Sequence, residues 1–530
     1  MKRSGAVLAA SAAVVAVVAA LSTADRPWEP EPARNIGGPY ARLLSEATDL
    51  GPARDPRVQL TAALQGDLEP LRLNGWARLH GLSVRWREGD GWAILEGSPA
   101  AVSDALGVEI HDYRDRDGIV FYASPQQPPI PPAARSEVVG FGRILSHTPY
   151  REGLPPTPPR DVPDGGLLPT ELWKAYDATE LTDSGFTGKS QTVVVFSFDG
   201  FKQRDLDSFS DWFTVPKFTP EVIGGIPAQM TGEATMDLQV IHAVAPDARL
   251  VMANARPTVE SGGTFENLAK LMETVDRGFP GAIWSISIGW GCDRLFTAAD
   301  LTPVRAAVAA AQKHGTTVFD ATGDLAGLEC KGGHDWADPP TPDDVGVDAV
   351  ASIPEITSVG GTTLSTDAEG GFLAEQGWYD VPLTQGSAGG ASVLFGRPAW
   401  QSTGPGGSAK ARRMVPDVAA VADPFTGVKF VFDQQVAVGG GTSQATPIWA
   451  GLAAVMNDLL KDQGADPLGS INPTLYAVAK GSATPGFRDI QLGGNAITVP
   501  HAGYDMVTGL GSPSIKNLIR GILLARTVNR

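Results

Sequence analysis

Ser443 stands in GGGTSQATP (Gly439–Pro447), a hydroxyl placed between three glycines and QATPIWAGLAAVMNDLL, a run of helical pattern. An unassisted hydroxyl is a poor nucleophile and needs a base within hydrogen-bond reach. Histidine is the usual base, and the chain has seven. One arrangement would join Asp199, at the strand-like end of VVVFSFDG, with His314 in HGTTV. His314 closes a helical stretch, however, where a cation is favoured by the helix dipole without any catalytic role. A second arrangement draws on GEATMDLQVIHAVAPDARL (Gly232–Leu250), where Glu233 and Asp237 are four residues apart and share one helix face. Like charges at that spacing destabilise a solvated helix, although acidic residues near a helix start also suit its dipole. His242, five residues after Asp237, reads as a side chain packed on or near a sheet. The spacing alone leaves the base open.

These residues need a scaffold. Gln191–Phe198, Ala248–Ala255, Ala282–Ile288 and Thr316–Thr322 are short, nearly continuous apolar strands. Between them lie the helical stretches EATMDLQVIHAVA, FENLAKLMETVDRG and LTPVRAAVAAAQKHG. Buried strands alternating with amphipathic helices predict an α/β domain with a parallel sheet and helices on both faces. Chemistry in such sheets sits outside the carboxyl ends of the strands. Before this region, residues from about 27 to 145 alternate strand runs with a short helix, SPAAVSDALGV, where Ser98 is placed to cap the start. That is an antiparallel α+β pattern. A proline-crowded segment, Pro149–Pro169, reads as an extended linker between the two. The expected organisation is a signal peptide over 1–24, an N-terminal domain over 25–152, a linker over 153–168 and a main domain over 169–530.

The 530 residues carry a net charge of −17, which excludes a phosphate-backbone partner for want of a basic face. An apolar fraction of 42% against 19% charged is ample for a sizeable core. MKRSG followed by AVLAASAAVVAVVAALSTA has the build of a secretory signal with cleavage after Ala24, the alternative being a retained anchor. No later segment reads as transmembrane. The expected location is therefore extracellular. The only cysteines, Cys292 and Cys330, each follow the carboxyl end of an expected strand, and in an exported chain they are expected to pair.

Several segments together resemble one family. GGGTSQATPIWAG and GEATMD, with SISIGWG (Ser285–Gly291), DATGD (Asp320–Asp324), ITSVGGTTL (Ile356–Leu364), VPDVAAVADPFTG (Val415–Gly427) and GFRDI…GYDMVTGLGSP (Gly486–Pro513), look like the sedolisins, or serine-carboxyl peptidases. The block from GLSVRW to FYAS is similar to the propeptide of that family, so the likeness spans about Leu73 to Pro513. The resemblance implies a subtilisin-like fold and a Ser–Glu–Asp triad: Ser443 as nucleophile, Glu233 as general base, Asp237 orienting it, and Asp324 in the oxyanion hole with the Ser443 amide. A glutamate base implies work in acid, and Asp324 donates to an oxyanion only while protonated. The likeness also implies a zymogen that acts on polypeptides, is inhibited by its own propeptide and works as a monomer. Asp489 and Asp505 flank a glycine-containing loop, and two such aspartates are commonly just turn formers. The likeness gives them one structural Ca²⁺ ion, held by their side chains and by carbonyls of Ile490, His501 and Gly503. The chain departs from the family at Ala234, where a bulky residue is usual, at Asp320, an additional strand acid, and at CDR after SIGWG, where a glutamate is frequent. Within the family the choice lies between an endopeptidase and a tripeptidyl-peptidase. An inactive extracellular binding relative is the third reading, and the intact set of four catalytic positions argues against it.

Overall fold

The computed structural model describes residues 33–150, 165–260, 265–331, 339–380, 385–401, 411–481 and 485–528. The signal segment and most of the linker lie outside them. The central sheet is built from β1 (Thr192–Ser197), β2 (Glu221–Ile223), β3 (Arg249–Asn254), β4 (Ile283–Ile286), β5 (Thr317–Ala321), β6 (Thr357–Thr366), β7 (Phe372–Gly377) and β8 (Val418–Val421). Its order is β7-β6-β5-β4-β1-β3-β2, with β8 also paired to β6. Every pairing is parallel except that of β7, which turns back antiparallel on β6.

The apolar strand runs are explained by burial on both faces. Val193 and Val195 of β1 face one core with Ile283 and Phe319, while Val194 and Phe196 face another with Trp284 and Val318. This is the period-two alternation of a pleated strand, filled on both sides. Helices α1 (Glu233–Val244) and α4 (Thr442–Asp462) cover the first face. Helices α2 (Phe265–Gly278) and α3 (Thr302–Lys313) cover the second. The expected helices and strands are all present, within a residue or two at each end.

Helices α1 and α4 approach closely because α4 has a glycine at the crossing. A Cβ on Gly451 would stand 2.7 Å from Cβ of Val244. The two helices that carry Glu233 and Ser443 are thereby held against each other.

The N-terminal residues form an antiparallel four-stranded sheet (Ser83–Arg85, Trp92–Gly97, Val58–Leu64, Val138–Phe141 in spatial order) and a three-stranded one. The helix Pro99–Leu106 begins as expected, with Ser98 Oγ accepting from the Ala101 amide at 3.2 Å. Leu60, Leu73, Trp76, Leu95, Val102 and Phe141 contribute to a core of its own. Tyr40, Tyr113, Phe121 and Leu145 instead join the second core of the main domain, so the two blocks share apolar surface. Among the described residues no helix is long and apolar enough to cross a membrane.

Candidate active site

The glycine run before Ser443 makes the turn into α4. Gly441 is its N-cap, with φ of 82° in the region that favours glycine. Ser443 is the second residue of the helix, so its amide is among those a helix leaves without an intrahelical acceptor. Pro447 lies inside the same helix. Proline has no N–H, so the carbonyl four residues earlier, that of Ser443, loses its helical donor. Ser287 replaces it, with Oγ donating to the Ser443 carbonyl at 3.1 Å. The sequence signal was one of two serines, Ser285 and Ser287, in the apolar run Ala282–Ile288, but its use depends on the register of α4.

Glu233 opens α1, and Asp237 follows one turn later. Glu233, Asp237 and Ser443 are 6%, 0% and 5% exposed, so this is a desolvated site. Burial pushes Glu233 well above the usual carboxylate range, the charges of Asp237 and Asp324 push it further, and the Ser443 hydroxyl pulls it back. Burial likewise raises Asp237, opposed by the hydroxyl of Ser287. Ionising both of these neighbouring buried carboxyls is costly, so the protonated forms are favoured. Neither oxygen of either acid is in a formed hydrogen bond. The two hydroxyls therefore act from nearby, outside hydrogen-bond geometry, as is common in a resting site that tightens on substrate.

Asp324 follows β5 and reaches the start of α4. Its Oδ1 accepts from the Thr442 amide at 2.7 Å and from Thr442 Oγ1 at 2.9 Å. Thr442 Oγ1 in turn accepts from the Gly323 amide at 3.0 Å. Asp324 is thus fixed one residue before Ser443, beside the helix N-terminus. A Cβ on Gly441 would meet its Oδ2 at 2.6 Å, so glycine is required there for packing as well as for φ. Asp199 also lies at this end of the sheet. It accepts from the amides of Thr231 (Oδ1, 2.7 Å) and Gly232 (Oδ2, 2.9 Å), just before Glu233.

The histidines are occupied elsewhere. His314 ends α3 and pairs with Asp276 of α2 at 2.9 Å. His242 is buried, 2.6 Å from the Pro216 carbonyl and stacked on Phe218. Asp320 is wholly buried on β5, facing the charge of Asp348, and burial raises it well above the usual range. It lies on the sheet face of Trp284 and Val318, not on that of α4.

Cys292 and Cys330 are bonded, with Cα atoms 4.8 Å apart. The last described residues of the N-terminal block run over this end of the sheet. Pro149 lies against the backbone of Gly291, and Tyr150 meets the ring of Phe198 edge-on at 4.7 Å.

In the loop expected to hold a cation, one contact joins two of the expected residues. The Asp489 carboxylate accepts from the Gly503 amide at 2.9 Å. Asp505, two residues on, is buried and accepts from the amides of Val507 and Thr508 at 2.7 and 2.8 Å. Burial raises its pKa, with only amides, a hydroxyl and the charge of His501 opposing. Carboxylates and carbonyls in a flexible loop form the donor set of a hard cation, and each carboxylate keeps lone pairs to spare. Among the described residues, the one group of three acidic, histidine or cysteine ligand atoms is Cys292, Asp293 and Cys330. Its cysteines are spent in the disulfide.

Comparison with known proteins points to serine-type peptidases. Residues 223–471 match the model of the subtilase family, peptidase S8. The chain is 29% identical over 576 aligned positions to kumamolisin of Bacillus sp. (strain MN-32), covering 95% of this chain and 99% of that protein. It is 26% identical over 488 positions to sedolisin of Pseudomonas sp. (strain 101), covering 86% and 78%. Tripeptidyl-peptidase 1 of Homo sapiens is 26% identical over 388 positions, covering 68% and 64%. Among solved structures, Pseudomonas sedolisin, a serine-carboxyl proteinase complexed with two molecules of pseudo-iodotyrostatin, superimposes with a TM-score of 0.57. Its identity is 25%, over 68% of this chain and 98% of that one.

Proposed function

The chain belongs to the sedolisin family of serine-type peptidases, and from that membership we propose that it is a secreted endopeptidase active in acid and made as a zymogen. Ser443 attacks the scissile carbonyl while Glu233 takes its proton, then returns that proton to the leaving amine. Asp237 shares a proton with Glu233 and holds its base in place. The Ser443 amide and protonated Asp324 stabilise the oxyanion. The observation that carries this reading is the buried Glu233–Asp237 pair beside the Ser443 hydroxyl, with all four carboxyl oxygens unpartnered. The raised pKa makes the ionised Glu233 carboxylate a stronger base towards the serine proton than an ordinary carboxylate, and activity is expected to fall where acid protonates it.

The N-terminal block, whose end lies on Gly291 and Phe198, is the prosegment that keeps substrate out. Cleavage falls between about Gly153 and Leu168, the interval between the folded blocks. The basic-then-apolar first 24 residues support export. One structural Ca²⁺ would be held by the side chains of Asp489 and Asp505 and the carbonyls of Ile490, His501 and Gly503, where it would offset the charge of the two carboxylates.

The test is to acidify the purified precursor and map peptide products by mass spectrometry, for wild type and for Ser443→Ala, Glu233→Gln and Asp237→Asn. Wild type should release internal fragments, and the first two variants, though folded, should release none. Products that are all tripeptides would make it a tripeptidyl-peptidase. Activity surviving in Glu233→Gln but lost in His314→Ala would return the base to histidine. For the metal, a chelator should lower the melting temperature of wild type and leave Asp505→Ala unchanged. Indifference of wild type would remove the ion.

A further inference from the structure

We propose that Asp199 is a positioning residue for catalysis: its carboxylate anchors the N-terminus of α1 and so fixes where Glu233 and Asp237 stand. The proposal rests on the reading of Glu233 as the base. The N-cap of α1 is Gly232, with φ of 111° and no side chain to offer. A helix start leaves amides without acceptors, and a serine, threonine or aspartate at the N-cap normally takes one. Here the acceptor comes from the end of β1 instead. Both carboxylate oxygens are used, Oδ1 by Thr231 N–H and Oδ2 by Gly232 N–H. Two amides on two oxygens of one planar group fix the direction and the rotation of the helix start. Asp199 is itself held, because its own amide donates to Ser197 Oγ at 3.0 Å. It is wholly buried, so the anchor is not loosened by water.

A charge in that place also acts on the base. The charged groups that bear on Glu233 are Asp237 from its own helix, Asp324 from the turn after β5, and Asp199 from the end of β1. All are negative. The cation on this side is Arg256, whose Nε donates to the Phe198 carbonyl at 3.1 Å and whose guanidinium also bonds Gln229. Asp199 also raises Asp237, so its charge favours the protonated form of both acids. The three groups have no other common element, since they arrive from one helix, one turn and one strand end.

The experiment compares the acid-activated full chain with Asp199→Asn, Asp199→Glu and Glu233→Gln, measuring kcat and KM against pH together with thermal melts. Asparagine keeps one acceptor and removes the charge. Asp199→Asn is expected to lose about 10- to 100-fold in kcat with KM little changed, since displacing a catalytic group by a fraction of an ångström costs that much. The acid limb of its kcat/KM profile should move down by about one pH unit, because a neighbouring negative charge is gone. Asp199→Glu keeps the charge, so its limb should stay in place while kcat falls. A folded Asp199→Asn with wild-type kcat and an unmoved limb would overturn the proposal. So would a lowered melting temperature with kcat unchanged per active site, which marks a merely structural residue. If Asp199→Asn does not fold, Asp199→Ser, which also lacks the charge, is read for the same limb shift. Glu233→Gln separates the two claims: if it retains activity, the base reading fails; if it is inert while Asp199→Asn is normal, only the role of Asp199 fails.

Discussion

At the scale of the residue, the site inverts a common design. On the proposed reading a serine nucleophile is served by carboxyls, and what suits them to the task is burial together with the negative charges that bear on Glu233 and Asp237. The oxyanion side follows the same logic, since Asp324 can donate only when protonated. Asp324→Ala is therefore expected to lower kcat by about 100- to 1000-fold with a small change in KM, the usual loss for one oxyanion donor. Steady-state kinetics at the optimum decides it, and a loss confined to KM would place Asp324 in substrate binding. Ser443, Glu233 and Asp237 were legible in the sequence through the segments that resemble the family, while their spacing alone left the base open. Asp199 and Ser287 were not, because their partners arrive from other elements: the amides before α1 and the carbonyl that Pro447 frees. A single chain shows a proline and a serine, but not that they serve one carbonyl.

At the scale of the element, the geometry depends on the crossing of α1 and α4, which carry Glu233 and Ser443, the proposed base and nucleophile. Gly451 permits it, and Ile241, Val244, Ile448 and Leu452 fill the surroundings. Gly451→Ala places a methyl 2.7 Å from Val244 Cβ, a contact that real side chains do not make. The helices must separate, at about 1–3 kcal/mol for an overpacked core. Denaturant titration should show that loss, and kcat should fall with it, because Glu233 and Ser443 lie on opposite sides of the joint. A stability loss with kcat intact would mean that the site tolerates the shift. The helices and strands themselves could be read from the sequence, since two-sided burial produces continuous apolar runs and amphipathic helices. The spatial order of the sheet and the antiparallel return of β7 could not, because those pairings join segments distant in the chain.

At the scale of the whole molecule, acid acts on two sets of carboxyls with opposite signs. Burial raises Asp293 and Asp300 to about 6 and Asp348 to about 7. A carboxyl raised in the fold contributes stability that is complete below its unfolded value, about 3.9, and is lost as pH rises through the folded one. The peptidase body should therefore melt highest near pH 4 and lose stability between about pH 4 and pH 7. The join to the N-terminal block, the proposed prosegment, behaves the other way. Arg85 forks onto Glu266, with contacts of 2.8 and 2.9 Å, and Arg87 onto Glu273, with contacts of 3.0 and 2.6 Å; both acids lie on one face of α2, two turns apart. Arg42 holds Asp344 at 2.5 Å. Arg85 with Lys270 holds Glu266, and Arg87 holds Glu273, below their ordinary values, while Asp344 is held down by the Thr341 amide and then by Arg42. This stabilisation is therefore present above about pH 4 and lost as pH falls through the depressed values. Asp300, which accepts from the Arg143 amide of the prosegment at 3.0 Å, is raised and so does not drive release on acidification. The prosegment is thus expected to stay docked at pH 5 and to open below about pH 4, where the body is still stable. Hydrogen exchange on the Ser443→Ala precursor, stepped from pH 6 to pH 3, would locate the opening. In the double variant Glu266→Gln, Glu273→Gln the two forks carry no titrating charge, so docking should weaken already at pH 6 and its remaining pH dependence should be shallower. Equal opening of both proteins at pH 5 would shift the trigger away from α2.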